Sequence, residues 1–381
     1  MHVNCLFFLA GILLAPGAAL AVPAYTVADL GTLPGGGFSI GFAINAGEQV
    51  VGTSGVADPS SRGFLWDPAT GMRDLGSLGR GSEAFGINAG GQVTGISFNA
   101  NGVPRAFLWD RATGLRDLGT LGGDEREASS GADINASGQV TGASNFGPSS
   151  VRAFLWDPAT GMRNLGTLGG GSFSAGSGIN AGGQVTGTSD TAGGNRHAFV
   201  WDAETGMRDL GTLGGALSAG VDINDDGRVT GASITADGGI NAFLWDPTTG
   251  MKDLGTLGGG GFSVGNGINA GGQVTGQSIT SDGADLAFLW DGTGMFNLND
   301  LIDPDAGWTL LSGNAINDAG QITGFGINPG GQGNAFLLTP VTVAEIPEPG
   351  TLALIAFGCI GLGLSRRRIL QYRPSLSATS R

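Results

Sequence analysis

Residues 131–166 read GADINASGQVTGASNFGPSSVRAFLWDPATGMRNLG. Four short apolar segments stand out: Gly131-Ala132-Asp133-Ile134-Asn135, Gln139-Val140-Thr141-Gly142, Ala153-Phe154-Leu155-Trp156-Asp157 and Met162-Arg163-Asn164-Leu165-Gly166. None is long enough for a convincing helix, and turn chemistry separates them. The first two are joined by an Asn-x-x-Gly turn, as in Asn88-Ala89-Gly90-Gly91, with Asn at the first and Gly at the fourth position of a type I hairpin. The last two are joined by Asp-Pro-Ala-Thr-Gly, as in Asp67 to Gly71, where Pro sets φ and Gly supplies a positive φ. Turns this short make chain neighbours antiparallel, so the stretch predicts one four-stranded antiparallel sheet.

The same unit recurs along the chain. Its Ile-Asn dipeptide appears at Asn45, Asn88, Asn135, Asn180, Asn224, Asn269 and Asn317, at spacings of 43 to 48 residues. Seven copies of about 45 residues with four strands each predict an all-β fold, a seven-bladed β-propeller. The ends of the array carry the same message. Tyr25-Thr26-Val27-Ala28-Asp29-Leu30-Gly31 reads as a fourth strand with no third before it, and Ala335-Phe336-Leu337-Leu338 as a third with no fourth after it. The expectation is a ring in which the N-terminal strand completes the last blade and covers two exposed edges. An open β-solenoid is the alternative, and it would show atypical capping units.

Composition agrees with many short strands. Glycine accounts for 75 of 381 residues, about 20% against a usual 7% or so. There is no Gly-X-Y period, which excludes collagen, and Gly at this density excludes a long helical bundle. With 40% apolar residues and seven Trp the chain can still build a core. Residues 22–346 hold 13 basic and 31 acidic side chains, a net −18, which repels phosphate backbones and excludes nucleic acid as a partner. Cys5 and Cys359 fall in the terminal segments, so the repeats have neither a disulfide nor a Cys-ligated zinc site. His197 is the single histidine outside the leader, which excludes paired-histidine chemistry.

The two ends read as processing signals. Residues 1–21 form a signal peptide, with an apolar run from Cys5 to Leu14 and Ala19-Leu20-Ala21 before a cleavage point between Ala21 and Val22. At the other end, residues 347–381 hold Pro347, Glu348 and Pro349, an apolar run from Thr351 to Leu364, and Arg366, Arg367 and Arg368. As a helix this run would reach about 21 Å, short of the roughly 30 Å hydrocarbon core, and the arginines would hold its end in the cytoplasm. A transient inner-membrane anchor is expected, with an ordinary C-terminal anchor as the alternative. The order of these parts resembles the PEP-CTERM sorting signal of Gram-negative bacteria. That resemblance implies an exosortase-type partner and delivery to the cell surface or the extracellular polysaccharide matrix. The thirteen residues after the arginines, Ile369 to Arg381, depart from that pattern.

The repeat domain, residues 22–346, has a resemblance of its own. His197-Ala198-Phe199-Val200-Trp201, Leu-Gly-Thr-Leu-Gly-Gly and Ile-Asn-x-x-Gly-Gln-Val-Thr-Gly resemble the HAF-repeat family of bacterial extracellular proteins. This implies an extracellular location and no particular activity.

Candidate sites are few. Trp66, Trp109, Trp156, Trp201, Trp245 and Trp290 share one strand position and are expected between blades, with Leu338 in the seventh copy. Trp308 stands in a long insertion, Asn299 to Leu311, and is the candidate for an exposed ligand contact. Asp222-Ile223-Asn224-Asp225-Asp226-Gly227 spells the start of a calcium loop, but Ser233 replaces the closing Glu, so a plain hairpin turn is expected. Weak structural Ca²⁺ elsewhere on the acidic surface stays open, and no cofactor is expected. Recurring threonines such as Thr94 and Thr141 are spread by the long period and make no flat ice-binding array. A glycosidase needs only two carboxylates, and Glu83, Asp124, Glu125, Glu127 and Asp190 lie near blade connections, though nothing selects a pair. The leading expectation is a non-enzymatic binding or structural module associated with exopolysaccharide. A carbohydrate-active hydrolase or lyase, and a protein-binding module of the envelope, are the alternatives.

Overall fold

The computed structural model describes residues 24–57, 60–124, 126–147 and 149–341. Both terminal signals lie outside the described residues, with Ala21, Val22, Pro347, Glu348, Pro349, Arg366, Arg367 and Arg368, and so does Glu125. Among the described residues no helix is long and apolar enough to cross a membrane. The apolar run Thr351 to Leu364 is not among them.

The described residues are all-β, with 28 strands and three short 3-10 turns. In the third copy Ser129–Ile134, Val140–Asn145, Val151–Asp157 and Gly161–Asn164 pair consecutively and antiparallel. Other copies repeat this four-stranded order, and two of them touch through a single parallel pair, Ile240 with Phe262. The last sheet differs in chain order. Thr309–Ile316, Ile322–Ile327 and Gly333–Pro340 take their fourth strand from the other end of the chain, Tyr25–Asp29, in a register from Tyr25 with Pro340 to Asp29 with Phe336.

The core lies between sheets. Phe64, Phe107, Phe154, Phe199, Phe243, Phe288 and Phe336 are fully buried, one from each third strand. Each such ring removed from water is worth about 1.5–3 kcal/mol. The apolar clusters draw on two consecutive copies at a time: Val51 and Leu65 pack with Ala84, Val93, Phe107 and Trp109. Leu30, Leu33, Val50 and Phe64 pack with Ala335 and Leu337 from the end of the array. Trp109, Trp156, Trp201, Trp245 and Trp290 are between 3% and 8% exposed, and Leu338 is fully buried. A cation from the preceding sheet covers each of these indoles, as with Arg116 at 5.5 Å from Trp156 and Lys252, the chain's one lysine, at 4.7 Å from Trp290. Such contacts add about 0.5–1 kcal/mol at exposed sites.

The recurring asparagine does two things at once. Its Oδ1 accepts backbone N–H bonds inside its own turn, as Asn88 does from Gly90 and Gln92 at 3.0 Å. Its Nδ2 donates to the carbonyl of the next Asn: Asn45 to Asn88, then on through Asn135, Asn180, Asn224, Asn269 and Asn317, at 3.0 to 3.3 Å. Asn317 donates in turn to Asn45, at 3.1 Å, so the circuit returns to its start.

A second link is steric. The buried threonines donate to third-strand carbonyls, Thr141 to Phe154 at 2.9 Å, which places their hydroxyls against the next sheet. There a glycine receives them, and a Cβ on Gly176 would collide with Thr141 Oγ1. The first copy has Val51 in place of Thr, and its neighbour carries Ala84 in place of Gly. The two changes occur together because they share one space.

Glu48 is the only non-glycine residue with positive φ among the described residues, at 63°. It occupies the turn position held by Gly91 and Gly138 in the next two copies, at 76° and 77°. Left-handed backbone costs a residue with a Cβ about 1–2 kcal/mol. Glu48→Gly should therefore raise stability by about 0.5–1 kcal/mol in denaturant unfolding, part of the gain being offset by the freer unfolded chain. A loss of stability would show that the Glu48 side chain has a stabilising role of its own.

Candidate functional site

Each first strand carries a β-bulge just ahead of its Ile-Asn dipeptide. Register shifts between Gly131 and Asp133 and between Gly220 and Asp222 are two instances. A bulge places two residues opposite one and re-aims their side chains. The residues so displaced line a cavity of about 560 Å³ where the first strands of different copies meet. Phe42 and Phe85 form an edge-to-face pair there, 5.5 Å apart at 64°. Asp133, Ser177, Asp222, Asn266 and Asn314 supply the polar lining.

Space at the bulge is limited. A Cβ on Gly86 would come to 2.9 Å from the Asp133 Cα, on Gly178 to 3.0 Å from the Asp222 Cα, and on Gly267 to 2.8 Å from the Ala315 Cα. Glycine therefore alternates with a larger residue around the cavity, and two of the larger residues are aspartates.

Both aspartates are held by backbone. Asp133 accepts from Ile134 N–H at 2.8 Å and from Ile179 N–H in the next first strand at 3.0 Å. Asp222 repeats this with Ile223 at 2.8 Å and Ile268 at 2.9 Å. Burial pushes Asp133 up to about 6 against the pull of those N–H bonds. Burial, and then the charge of Asp133, pushes Asp222 up to about 7. Their side chains keep part of their surface toward the cavity. Among the described residues no Lys, Arg or His lines it. Asn314 donates to the Gly41 carbonyl at 2.7 Å and accepts from Ser312 at 2.5 Å. Asn266 donates to the Gly313 carbonyl at 3.1 Å, which leaves its Oδ1 as an acceptor for the cavity.

The residues singled out from the sequence lie elsewhere. Trp308 is half-buried and packs on the core of the last sheet, edge-on to Phe336 at 6.3 Å and 76°. The insertion folds back because Asn299 clasps Leu310, donating to its carbonyl at 2.9 Å and accepting from its N–H at 2.7 Å, while Leu298 and Ile302 bury beneath. The calcium-like turn has its side chains committed to different partners. Asp222 faces the cavity, Asn224 accepts from Arg228 N–H at 3.0 Å, and Asp225 accepts from Ala181 N–H at 2.9 Å. Among the described residues no group of three or more His, Cys, Asp or Glu is placed to hold a metal ion.

Glu83, Asp124, Glu127 and Asp190 do not line the cavity. Burial pushes the Glu83 carboxyl up. Asp190 is tied to Phe173 N–H at 3.0 Å and to Arg196 at 3.2 Å. Asp124 and Glu127 give their carbonyls to Arg105, at 3.4 and 2.9 Å. His197 contacts Asp209 at 2.8 Å, in the place where Arg105 meets Asp117 at 3.0 Å in another copy, so it belongs to a structural edge pair. Sequence reasoning missed Phe42, Phe85, Ser177 and Asn266 as well as Asp133, and only Asp133 carried a clear signal. The signal of Asp133 was its departure from the Gly or Ala found two places before the Asn in five of the copies.

Residues 345–368 match the PEP-CTERM protein-sorting motif. The motif marks the chain for export and membrane-associated sorting to the cell surface by an exosortase-type enzyme. No curated protein matches the chain. Among solved structures it is similar to a puromycin-hydrolyzing peptidase of Mycobacterium tuberculosis, at 12% identity over 81% of this chain and 53% of that one, TM-score 0.55. A puromycin hydrolase aligns at 16% identity over 76% and 50%, TM-score 0.52. TolB from Acinetobacter baumannii aligns at 15% over 65% and 61%, TM-score 0.46. The chain thus spans about half the length of the two hydrolases and 61% of TolB. These likenesses place it with all-β, propeller-like structures.

The two aspartates make a testable link to pH. Their folded-state values lie above the ordinary aspartate value, so the folded chain binds more protons than the unfolded one between about pH 4 and 7. Ionising them costs stability as pH rises, and acidification from pH 8 to 5 recovers it. The melting temperature of the wild type relative to an Asp133→Ala/Asp222→Ala variant should therefore be higher at pH 5 than at pH 8. A difference that does not change with pH would refute the assignment.

Proposed function

We propose that the chain is a closed seven-bladed β-propeller that binds extracellular polysaccharide through its central cavity without catalysing a reaction. The Asn circuit, returning to Asn45 from Asn317, and the pairing of Tyr25–Asp29 with Gly333–Pro340 support the closed ring. The sorting motif supports a place at the cell surface or in its matrix. The likeness of the repeat to HAF repeats supports the same compartment.

The observation that carries the binding reading is the mixed lining of the cavity. Phe42 and Phe85 offer an apolar wall for the C–H face of a sugar ring, and Ser177, Asn266, Asp133 and Asp222 offer groups for its hydroxyls. A second reading has an observation of its own. Two carboxyls with raised proton affinity in one cavity suit acid catalysis, which favours a carbohydrate-active hydrolase or lyase.

Retention of the purified protein on matrix polysaccharide of the producing cell tests the first reading; Phe85→Ala should reduce it, and no binding across a broad glycan panel would refute it. Release of reducing ends, abolished by Asp133→Ala or Asp222→Ala, would favour the second. Closure has a separate check. Deleting Tyr25 to Gly31 strips a strand from the last sheet and should lower the melting temperature by about 10 °C or more. An unchanged melting temperature would argue for an open array.

A further inference from the structure

The copies are nearly identical where they touch one another and differ where they face the cavity. Phe42 and Phe85 come from adjacent copies, and the two aspartates flank one strand on another part of the wall. That strand is Ser174–Ile179. Asp133 bonds to its Ile179 N–H at 3.0 Å, and Asp222 backs onto its Gly178, where a Cβ would lie 3.0 Å from the Asp222 Cα. Ser177 of the same strand lines the cavity between them.

We propose that this cavity takes a sugar bearing a free amine, its ammonium held between Asp133 and Asp222 and its ring face against Phe42 and Phe85. The proposal rests on the sugar-binding reading and names the class of sugar. Three features point to a positive charge on the ligand. First, two carboxylates face a space that no Lys, Arg or His among the described residues lines. Second, each carboxylate oxygen is held by one backbone N–H, which fixes its direction and leaves a lone pair free for another donor. Third, the charge of Asp133 adds to burial in raising the proton affinity of Asp222, and a cation between them relieves that repulsion where a neutral hydroxyl does not.

The geometry also says what kind of cation. A primary ammonium has three donors, enough for both carboxylates and the Ser177 hydroxyl. A bare divalent metal prefers six or more oxygens and would leave the aromatic wall without a role. Phe42 and Phe85 call for an apolar face on the same ligand, which the C–H side of an aminohexose ring supplies.

Binding of the full-length protein, in mild detergent, to a short glucosamine oligosaccharide, its fully N-acetylated counterpart and a neutral glucose oligosaccharide tests this by calorimetry at pH 7.5. The free-amine ligand should bind at least about tenfold more tightly than the acetylated one. Asp133→Ala and Asp222→Ala should each remove that advantage, while Phe85→Ala should weaken all three sugars alike. Alanine stands naturally at this position in Ala43 and Ala315, so the variants keep the fold, and circular dichroism checks it. Equal affinity for amine and acetylated ligands, with Phe85→Ala still harmful, would overturn the amine assignment and leave the sugar site standing. A preference for the amine that survives both aspartate changes would place recognition on the acidic outer surface and overturn it as well. No binding of any of the three would overturn both.

Discussion

One hydrogen bond, repeated, is the constraint on which the rest depends: an asparagine Nδ2 donating to the backbone carbonyl of the equivalent asparagine in the next sheet. A four-stranded sheet of this length cannot bury its apolar face alone. Its neighbour must stand at a set distance and angle. The Asn supplies that distance because the same side chain already holds its own turn through Oδ1, so hairpin and neighbour are positioned by one rigid group. These asparagines are 4–7% exposed, and losing one would strand buried donors and acceptors in two sheets.

Close packing follows from that spacing. The Thr hydroxyls fit only against glycine, and the single Val51 and Ala84 exchange shows the two surfaces adjusting together. The indoles fill the wider outer space between sheets, under a cation from the preceding copy. The N-terminal strand covers one edge of the last sheet by pairing with Gly333–Pro340. A rigid wall results, and a rigid wall can display a few divergent side chains at fixed positions. The copies disagree most at the bulged residues of the first strands, including Phe42, Phe85, Asp133 and Asp222, which line the cavity.

How much of this was legible in the chain differs by kind of feature. Strand number, turn type and the inter-sheet place of the recurring tryptophans follow from local pattern and from one residue type holding one position. Asp133 was legible only as a departure from Gly or Ala, and nothing in the pattern said where it pointed. Simple alternation would put Ala132 and Asp133 on opposite faces, whereas the bulge brings both to the cavity. Trp308 was legible as part of an insertion, but that it lies half-buried against the core of the last sheet, next to the Asn299 clasp on Leu310, was not.

The sequence by itself determined the repeat, its four strands, the glycine-rich turns and the sorting motif, because these depend on residues close in the chain. Its glycine content is the requirement of many tight turns and crowded crossings. Only the tertiary structure decided that Asp133 and Asp222, in different copies, face one cavity, where burial raises the proton affinity of both and the charge of Asp133 raises that of Asp222 further. Only it decided that an asparagine already used by its turn also binds the next sheet. Both depend on distances across sheets, which the order of residues along one strand does not encode.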